Sequence, residues 1–410
     1  MAISENGAGR AGPVQHVLIA GGGVAAIEAM LALKRLAGDR LVLDLLAPER
    51  DFVYRPLSVA EPFGLGSARR FDLDVITAEA GAGHRADGLA AVDAEHRRVR
   101  TRSGDEIPYD VLVIAVGARV REALPGALTF WGTGDAAPFR GLLRDLETAT
   151  ASEVVFCLPG RPGWPMPLYE LALMTAAHFA QSESSPALTI ATPESSPLEL
   201  FGNAASAAVR QLLADRGIGL CCGCYPEAVD EEGLHLVPGG HLAADRVVTI
   251  PRLEGPFLEG VPHDEEGFIP TDDFGRIDGL ENGAYAVGDV TTFPIKQGGL
   301  AAQQADAAAE LIAAAAGAAV DPAPFRPVLR GLLLTGLEPS YLRAEVSGGK
   351  GETSMATSQP LWWPPGKIAG KHLAPWLATL AQDDLRPPPP SGSEPIEVDV
   401  ELSRPPILAH

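Results

Sequence analysis

The sequence predicts an α/β protein made of two doubly wound, mostly parallel sheets and a small C-terminal segment. Two separate stretches, beginning near residues 14 and 154, each follow the order strand, glycine-containing turn, helix and strand. A third stretch, near residue 284, brings another apolar strand, a turn and a long Ala-rich helix. Strands that alternate with helices form parallel sheets with helices on both faces, so both sheets are predicted to be Rossmann-like.

The first block covers residues 14–46 and begins with a buried strand, VQHVLIA. Apolar residues then recur at helical spacing as far as Gly38, where a glycine ends the helix. RLVLDLLAPE supplies the next strand. The block is therefore predicted to be a complete βαβ unit.

A glycine-rich turn joins this strand to the helix and fits G-x-G-x-x-A with Gly21, Gly23 and Ala26. The first glycine allows a tight turn, the second lets a pyrophosphate approach, and the small third residue lets helix and strand pack closely. The free N–H groups at the helix start also favour phosphate. We predict a dinucleotide site here; a glycine turn without ligand is the alternative. The acid expected to bind a ribose hydroxyl is missing at Ala47, and Glu49 is the nearest substitute.

The second block runs from the strand at residues 154–158 to the strand at residues 187–194. A late strand, GAYAVGDV, precedes a helix expected from about Gly299 to Ala315. Residues beyond 320 are punctuated by proline. We expect a discontinuous first nucleotide-binding domain at residues 14–120 and 251–320, and a second nucleotide-binding-like domain at residues 121–250. A C-terminal interface segment is expected at residues 321–385 and a disordered tail at residues 386–410.

Composition and charge restrict the partners. The 410-residue chain is 46% hydrophobic and has a net charge of −21, which disfavours nucleic acid and anionic membrane surfaces. No stretch reaches the roughly 20 apolar residues that cross a bilayer, and the N-terminal residues lack an apolar signal core. The four cysteines form no secreted-type framework. We expect a cytoplasmic protein, peripheral on the inner face of the membrane at most, without a metal site.

Two later motifs complete a family pattern. An apolar strand ends in Ala115-Val116-Gly117, and the strand YAVGDV leads into Gly288-Asp289. Together with the glycine turn, these motifs resemble the FAD-dependent pyridine nucleotide-disulfide oxidoreductase superfamily, from which Val116 is a mild departure. FVYRPL (52–57) and FPIKQGGLAAQQADAAAE (293–310) are similar to its sulfide:quinone oxidoreductase and type II NADH dehydrogenase branch. The resemblance covers roughly residues 14–320.

The resemblance implies FAD as cofactor and a helix N-terminus near residue 297 that points at the flavin ring. There the helix dipole and Lys296 would stabilise negative charge on the reduced ring; a solvated loop lysine is the alternative. Lys296, Gln297 and Tyr169 are predicted as catalytic residues. The predicted cofactor-binding residues are Gly21, Gly22, Gly23, Val24, Ala25, Ala26, Glu49, Arg55, Pro56, Ala115, Gly117, Gly288, Asp289, Lys296 and Gln297.

The cysteines argue against the disulfide chemistry of this superfamily. None precedes Cys157, and residues 321–410 contain none. Trp164 stands where the resemblance to sulfide:quinone oxidoreductases would place a thiol, so sulfide oxidation through a protein disulfide is not expected. Cys157 ends a buried strand and is expected to pack as a small apolar side chain. The cysteines of CCGC (221–224) are expected to be reduced strand residues.

NAD(P)H therefore becomes the candidate donor, although the second turn is poor in glycine. Prolines between residues 158 and 168 remove N–H groups that would hold a pyrophosphate. Glu194, after the next strand, is placed where an acid can bind a ribose. Nucleotide binding in this block and donor docking directly at the flavin both stay open.

The acceptor side depends on LWWPPGKIAGKHLAPWL (361–377), which combines tryptophans with basic residues. In quinone-reducing relatives such a segment lies on the membrane beside a quinone channel; packing at an interface is the alternative that we favour. We predict an FAD oxidoreductase that passes two electrons from a small donor to a quinone or another small acceptor. The alternatives are a sulfur-compound oxidoreductase without the redox disulfide and a flavin-binding partner protein without catalysis. A homodimer is compatible with each.

Overall fold

The computed structural model describes residues 14–160, 163–280, 283–346 and 352–380. Its α-helices are α1 (Val24–Ala37), α2 (Leu73–Ala80), α3 (Ala136–Glu147), α4 (Met166–Phe179), α5 (Gly202–Asp215), α6 (Gly298–Ala315) and α7 (Leu373–Leu380). Its strands are β1 (Gln15–Ala20), β2 (Leu41–Leu46), β3 (Asp51–Tyr54), β4 (Arg69–Asp72), β5 (Gly83–Arg85), β6 (Leu89–Asp93), β7 (Arg98–Thr101), β8 (Glu106–Pro108), β9 (Val111–Ile114), β10 (Arg119–Arg121), β11 (Leu128–Thr129), β12 (Glu153–Cys157), β13 (Ala187–Thr192), β14 (Gly219–Cys222), β15 (Tyr225–Asp230), β16 (Gly233–Val237), β17 (His241–Ala243), β18 (Arg246–Thr249), β19 (Arg252–Glu254), β20 (Ala284–Ala286), β21 (Leu329–Leu333), β22 (Ser340–Val346) and β23 (Glu352–Thr357).

The first sheet is parallel, with the strand order β20-β9-β1-β2-β5. Residues 17–20 of β1 and all of β9 are apolar and buried because both faces of the sheet are covered at its centre. Val17 and Ile19 of β1 pack with α1 and α6, whereas Leu18 packs with the antiparallel sheet β6-β7-β8. The carboxyl ends of its strands meet at one edge, which is where ligands bind in sheets of this kind.

The second sheet is also parallel, with the order β11-β18-β12-β13-β14. Phe156 of β12 faces the core shared with α3, α4 and α5, and Cys157 faces the sheet β15-β16-β17. The two sheets confirm the predicted α/β fold with two Rossmann-like units. We retain the domain division as a proposal, supported by β20, which returns to the first sheet after β18 has joined the second.

The C-terminal segment packs on both units. β21, β22 and β23 form an antiparallel sheet whose Leu333 and Leu342 enter the core of the second unit, and Leu373 of α7 enters the core of the first. These strands are not predicted from the sequence, because they are short and have little alternation of their own. The predicted N-terminal arm and tail lie outside the described residues. None of the described helices combines the length and apolar character that a bilayer crossing requires.

Candidate functional site

The first glycine turn lies at the carboxyl edge of the first sheet. Gly21 has φ +129°, a left-handed conformation that favours glycine, and a Cβ there would lie 2.2 Å from the Ala115 carbonyl oxygen. The Gly21 N–H donates to the Leu46 carbonyl (2.9 Å), and the Ala115 N–H donates to the Ala20 carbonyl (2.7 Å). The turn is therefore fixed between the ends of β1, β2 and β9.

The next two glycines differ in their surroundings. A Cβ on Gly22 would lie 3.0 Å from Leu73 Cδ1 and 3.4 Å from Oε2 of the exposed Glu49. Gly23, the N-cap of α1, has nothing within 4 Å of a Cβ position. The backbone at Gly23 is thus open to a ligand, with the Glu49 carboxylate beside the turn. Helix α1 then begins with the remaining predicted turn residues, Val24, Ala25 and Ala26.

A second glycine turn, at Gly288, packs against the first. Gly288 has φ +82°, and a Cβ there would lie 2.9 Å from Cβ of Ala25. Its N–H donates to the Gln304 side-chain oxygen (2.7 Å), and its carbonyl accepts from the Thr291 hydroxyl (3.0 Å). Only glycine allows the two turns to come this close.

Asp289 presents an unpaired carboxylate next to this turn. Its side chain is half-buried and makes no hydrogen bond or ion pair among the described residues. Burial raises its pKa, and the positive charges of Lys296 and Arg55 oppose the rise. Arg55 as a whole is exposed, but partial burial of its guanidinium lowers the pKa of that group. The guanidinium lies 5.2 Å from the centre of the Trp131 ring. Asp289 and Arg55 lie close enough to influence each other without forming an ion pair.

Two further predicted residues sit in different settings. Gly117, just beyond β9, has φ +73° and open space at its Cβ position. Pro56 begins a 3-10 stretch with Arg55, and its carbonyl accepts from the Lys367 ammonium (3.2 Å). Gly117 therefore leaves room for a ligand, whereas Pro56 connects the Arg55 loop to the C-terminal segment.

Lys296 is buried just before α6. Its Nζ lies 3.8 Å from the centre of the Phe268 ring and donates to the Thr291 carbonyl. Burial lowers its pKa to about 8, and the nearby Asp289 charge opposes that shift. The alternative of a solvated loop lysine therefore does not hold.

Gln297 caps helix α6. Its side-chain oxygen accepts from the Leu300 N–H (2.8 Å), and its amide donates to the Arg330 carbonyl (3.2 Å). The cap leaves the start of α6 well ordered beside Lys296. It also joins α6 to the edge of the C-terminal sheet.

The amino-terminal part of the chain matches a known protein family. The model of the pyridine nucleotide-disulphide oxidoreductase family matches residues 15–154, which contain the glycine turn and the end of β9. The match confirms the superfamily predicted from the sequence, which is an FAD-dependent class of oxidoreductases.

Relatives and solved structures extend the likeness. Two NADH dehydrogenase-like proteins of Mycobacterium tuberculosis are each 31% identical over 237 residues, which cover 55% of this chain and 59% of the relative. The chain thus spans less than two thirds of these relatives. The sulfide:quinone oxidoreductase of Aquifex aeolicus has a TM-score of 0.76 at 21% identity, covering 84% of this chain and 87% of that one. NDH2 from Plasmodium falciparum in complex with NADH has a TM-score of 0.56 at 17% identity, covering 68% and 64%. The solved structures show the shared fold.

The sheet edge fits the flavin cofactor of this oxidoreductase class. The open backbone at Gly23, at the N-terminus of α1, suits a phosphate. The unpaired Asp289 carboxylate lacks donors that the hydroxyls of a ribityl chain can supply. Arg55 adds a positive charge that is not engaged in an ion pair with Asp289.

Tyr169 lies in the core of the second unit. Its hydroxyl is fully buried and donates to Glu194 (2.6 Å), which also accepts from the Thr192 hydroxyl (3.0 Å). Burial and the adjacent carboxylate raise the pKa of Tyr169, and burial raises the pKa of Glu194 to about 7. An enclosed hydroxyl cannot contact a substrate, so this conformation does not support Tyr169 as catalytic. Glu194 is likewise bound within the protein rather than presented to a ribose.

The proline-containing loop after β12 supports Lys296. A Cβ on Gly163 would lie 2.8 Å from Lys296 Cγ, and the Lys296 N–H donates to the Gly163 carbonyl (2.9 Å). Trp164 packs edge-on against Phe201, with ring centres 5.8 Å apart. Residues 161 and 162 lie outside the described part. The loop that resembles a nucleotide turn thus contacts Lys296 at the start of α6.

The cysteines depart from expectation in one respect. Cys157 is fully buried, and burial raises its pKa to about 12, which leaves its thiol unreactive. Cys221 and Cys224 form a disulfide instead of staying reduced, whereas Cys222 keeps a free thiol. Strand alternation could not reveal this pairing because a turn at Gly223, with φ +68°, brings the two residues together.

Three residues outside the predicted set hold the predicted ones in place. Gln304 binds the Gly288 N–H, Thr291 bonds both Gly288 and Lys296, and Phe268 lies under the Lys296 ammonium. Gln304 follows Gln297 by seven positions in the sequence, which places both on one face of α6 and is a signal that could have identified it. Thr291 and Phe268 carry no such signal.

Proposed function

We propose that the protein is an FAD-dependent oxidoreductase that takes two electrons from NADH and passes them to a quinone. The observation that carries the flavin part is Asp289, an unpaired carboxylate beside a turn that packs on the Gly21–Ala26 turn. Bound FAD supplies reversible two-electron chemistry, which the amino-acid side chains lack. The donor and acceptor rest on separate support.

The adenosine half of FAD is proposed to bind at the first glycine turn. The open backbone at Gly23 approaches the pyrophosphate, while Gly21 and Gly22 keep the turn against the sheet. Glu49, beside Gly22, bonds a ribose hydroxyl. Arg55 offsets phosphate charge, and the Pro56 carbonyl anchors that loop through Lys367.

The flavin half is proposed to lie between β9 and the start of α6. Asp289 accepts hydrogen bonds from the ribityl chain, and the open space at Gly117, beyond Ala115, leaves room for it. Lys296 and the N-terminus of α6 at Gln297 offset negative charge on the ring.

NADH is the proposed donor. The names of the mycobacterial relatives and the NADH complex among the solved structures support this choice. The second parallel sheet supplies the corresponding fold. Because Glu194 is engaged by Tyr169 and Thr192, we propose that the nucleotide is held at the start of α4 without that acid.

A quinone is the proposed acceptor. The fold shared with a sulfide:quinone oxidoreductase supports it. In the C-terminal segment, large apolar side chains reach solvent: Leu337 is 72% exposed, Trp363 42% and Leu380 41%. Such side chains suit a peripheral contact with a membrane, in which quinones dissolve.

A sulfur-compound donor is the second candidate, and two observations weigh against it. Trp164 occupies the position at which a thiol was expected and packs on Phe201. The Cys157 thiol is buried, and its raised pKa, about 12, keeps it protonated. The described residues therefore offer no activated thiol for a sulfide-derived chain near Lys296.

Anaerobic mixing of the purified yellow protein with NADH, NADPH or sulfide tests the proposal. We expect NADH to bleach the visible absorbance of the oxidised flavin and a water-soluble quinone to restore it, with free FAD plus NADH as the control. Bleaching by sulfide alone would favour the alternative of a sulfur-compound oxidoreductase. If the protein retains flavin that no donor bleaches, a flavin-binding partner protein without catalysis would be favoured. If the protein takes up no FAD, the proposal of an FAD-dependent oxidoreductase would be refuted.

A further inference from the structure

The cysteine cluster at residues 221–224 has no role in the proposed electron path. Cys221 and Cys222 end β14, where residues 219–222 pair with residues 189–192 of β13. In open parallel sheets, ligands bind outside the carboxyl ends of the strands. The cluster therefore lies at the ligand edge of the second sheet, on the side of β13 away from β12.

The disulfide closes a loop that is bonded to the end of β13. The Gly223 N–H donates to the Glu194 carbonyl (3.0 Å), and the Cys224 N–H donates to the Thr192 carbonyl (2.9 Å). The Cα atoms of Cys221 and Cys224 are 6.0 Å apart, within the range that a disulfide requires. The disulfide loop and the strand end at residues 192–194 form one unit.

The four cysteines differ in what they can do. Cys221 and Cys224 are half-buried, so an external thiol can reach them. Cys157 is enclosed in the core and unreactive. Cys222 forms no disulfide, and its side chain, half-buried as well, contacts Arg210. Two cysteines separated by two residues exchange readily between dithiol and disulfide forms.

We propose that Cys221 and Cys224 are a reversible dithiol–disulfide centre that controls the affinity of the second sheet for the nicotinamide nucleotide. The centre itself is independent of the proposed function, whereas its effect on the nucleotide rests on it. A reductant dithiol, on a small molecule or a protein, attacks the disulfide to form a mixed disulfide, and its second thiol then releases the protein. Two electrons pass to the pair, Cys221 and Cys224 each gain a proton, and the reductant becomes a disulfide.

In the disulfide form, the loop stays against residues 192–194 and completes the wall of the nucleotide site. In the dithiol form, only the two backbone hydrogen bonds hold the loop at residues 221–224, so the loop opens more often. Binding of the nucleotide must then also order the loop, which lowers the affinity. We expect the dithiol form to bind NAD⁺ about fivefold or more weakly, the lower end of usual coupling between sites.

Thiol trapping tests the centre. The full chain is equilibrated with mixtures of dithiothreitol in its reduced and oxidised forms, quenched with acid, unfolded and labelled with a maleimide for mass measurement. We expect two labels under oxidising and four under reducing conditions, since four cysteines include one disulfide. Cys222→Ser is the matched control and should keep the redox-dependent change. Four labels at every mixture, or loss of the change in Cys222→Ser, would overturn the proposal.

Equilibrium dialysis with NAD⁺, which does not reduce the flavin, tests the effect on the site. We expect weaker binding after reduction in the natural protein and in Cys222→Ser. Cys221→Ser and Cys224→Ser should bind weakly whatever the redox state. Equal affinity in both redox states would overturn control of the site while leaving the donor proposal intact. Absence of NAD⁺ binding in both states would refute the proposed donor and, with it, redox control of nucleotide affinity. Thiol labelling would still decide whether Cys221 and Cys224 are a redox centre.

Discussion

Lys367 places its ammonium 2.6 Å from the carboxylate of Glu170, and both side chains are withdrawn from solvent, with 8% and 0% exposure. Glu170 also accepts from the Leu334 N–H (2.8 Å), and Lys367 also donates to the Pro56 carbonyl (3.2 Å). One buried ion pair thus joins helix α4, the C-terminal segment and the Arg55 loop.

Removing one partner of this pair should destabilise the protein strongly. Lys367→Met or Glu170→Gln leaves a buried group without its partner, and we expect a loss of about 3–5 kcal/mol in the free energy of unfolding. The double variant should lose less than the sum of the two. Arg98→Met is the control, because the Arg98–Glu106 pair is 54% and 61% exposed and should contribute under about 1 kcal/mol. Denaturant unfolding measures each value; equal losses for buried and exposed pairs would contradict the prediction.

Two glycines of the first turn should respond differently to alanine. Gly21→Ala places a Cβ 2.2 Å from the Ala115 carbonyl oxygen at a positive φ, so we expect roughly 3 kcal/mol or more of lost stability. Gly23→Ala meets nothing within 4 Å, so the apoprotein should keep its stability while FAD binding falls. Thermal unfolding of the apoprotein and titration with FAD separate the two effects. Undiminished FAD affinity in Gly23→Ala would show that the pyrophosphate lies elsewhere.

Sequence pattern predicted those features in which local chemistry carries the signal. The turn at Gly21 is one, since glycine spacing between a strand and a helix identifies it. The Lys367–Glu170 pair could not be predicted, because its members stand 197 residues apart and meet only after the chain folds. Strand β22 was missed because its pairing partners, not its own periodicity, define it. The burial of Tyr169 could not be predicted, because a tyrosine beside a helix start gives no sign of whether its hydroxyl faces the solvent.

Asp289 should be required for flavin retention. Asp289→Ala removes the unpaired carboxylate, and we expect most of the bound FAD to be lost on purification, because the ribityl hydroxyls lose their acceptor. Asp289→Asn keeps an acceptor oxygen and should retain an intermediate amount. The ratio of flavin to protein absorbance measures the content. Full flavin content in Asp289→Ala, with an unchanged fold by circular dichroism, would contradict the assignment.

A pair of buried carboxyls should make stability depend on pH. Glu28 of α1 accepts from the His372 and Leu373 N–H groups, both at 2.7 Å, and lies next to Asp306 of α6. Burial, and then the charge of Glu28, raise the pKa of Asp306. The folded form therefore binds more protons than the unfolded chain, so the stabilisation is present at acid pH and is lost as pH rises through the raised pKa.

Asp306→Asn mimics the neutral form and tests this dependence. We expect it to raise the free energy of unfolding by about 1–2 kcal/mol at mildly alkaline pH and to have no such advantage in acid. Asp39→Asn, at a fully exposed carboxylate, is the control and should change little at either pH. Urea unfolding at both pH values provides the measurement. A uniform loss of stability in Asp306→Asn would mean that the carboxylate is charged in the fold.

Lys296 should set the alkaline limit of flavin reduction. Burial lowers its pKa to about 8, so its positive charge disappears as pH rises through that value. If this charge stabilises the reduced ring, kcat/KM for the donor falls above about pH 8. Lys296→Arg keeps a cation and should move the falling limb to higher pH. Lys296→Met should be slower by roughly tenfold at neutral pH, the effect of about 1.4 kcal/mol of lost stabilisation, and should lack this limb. An identical pH profile in Lys296→Met would show that another group carries the titration.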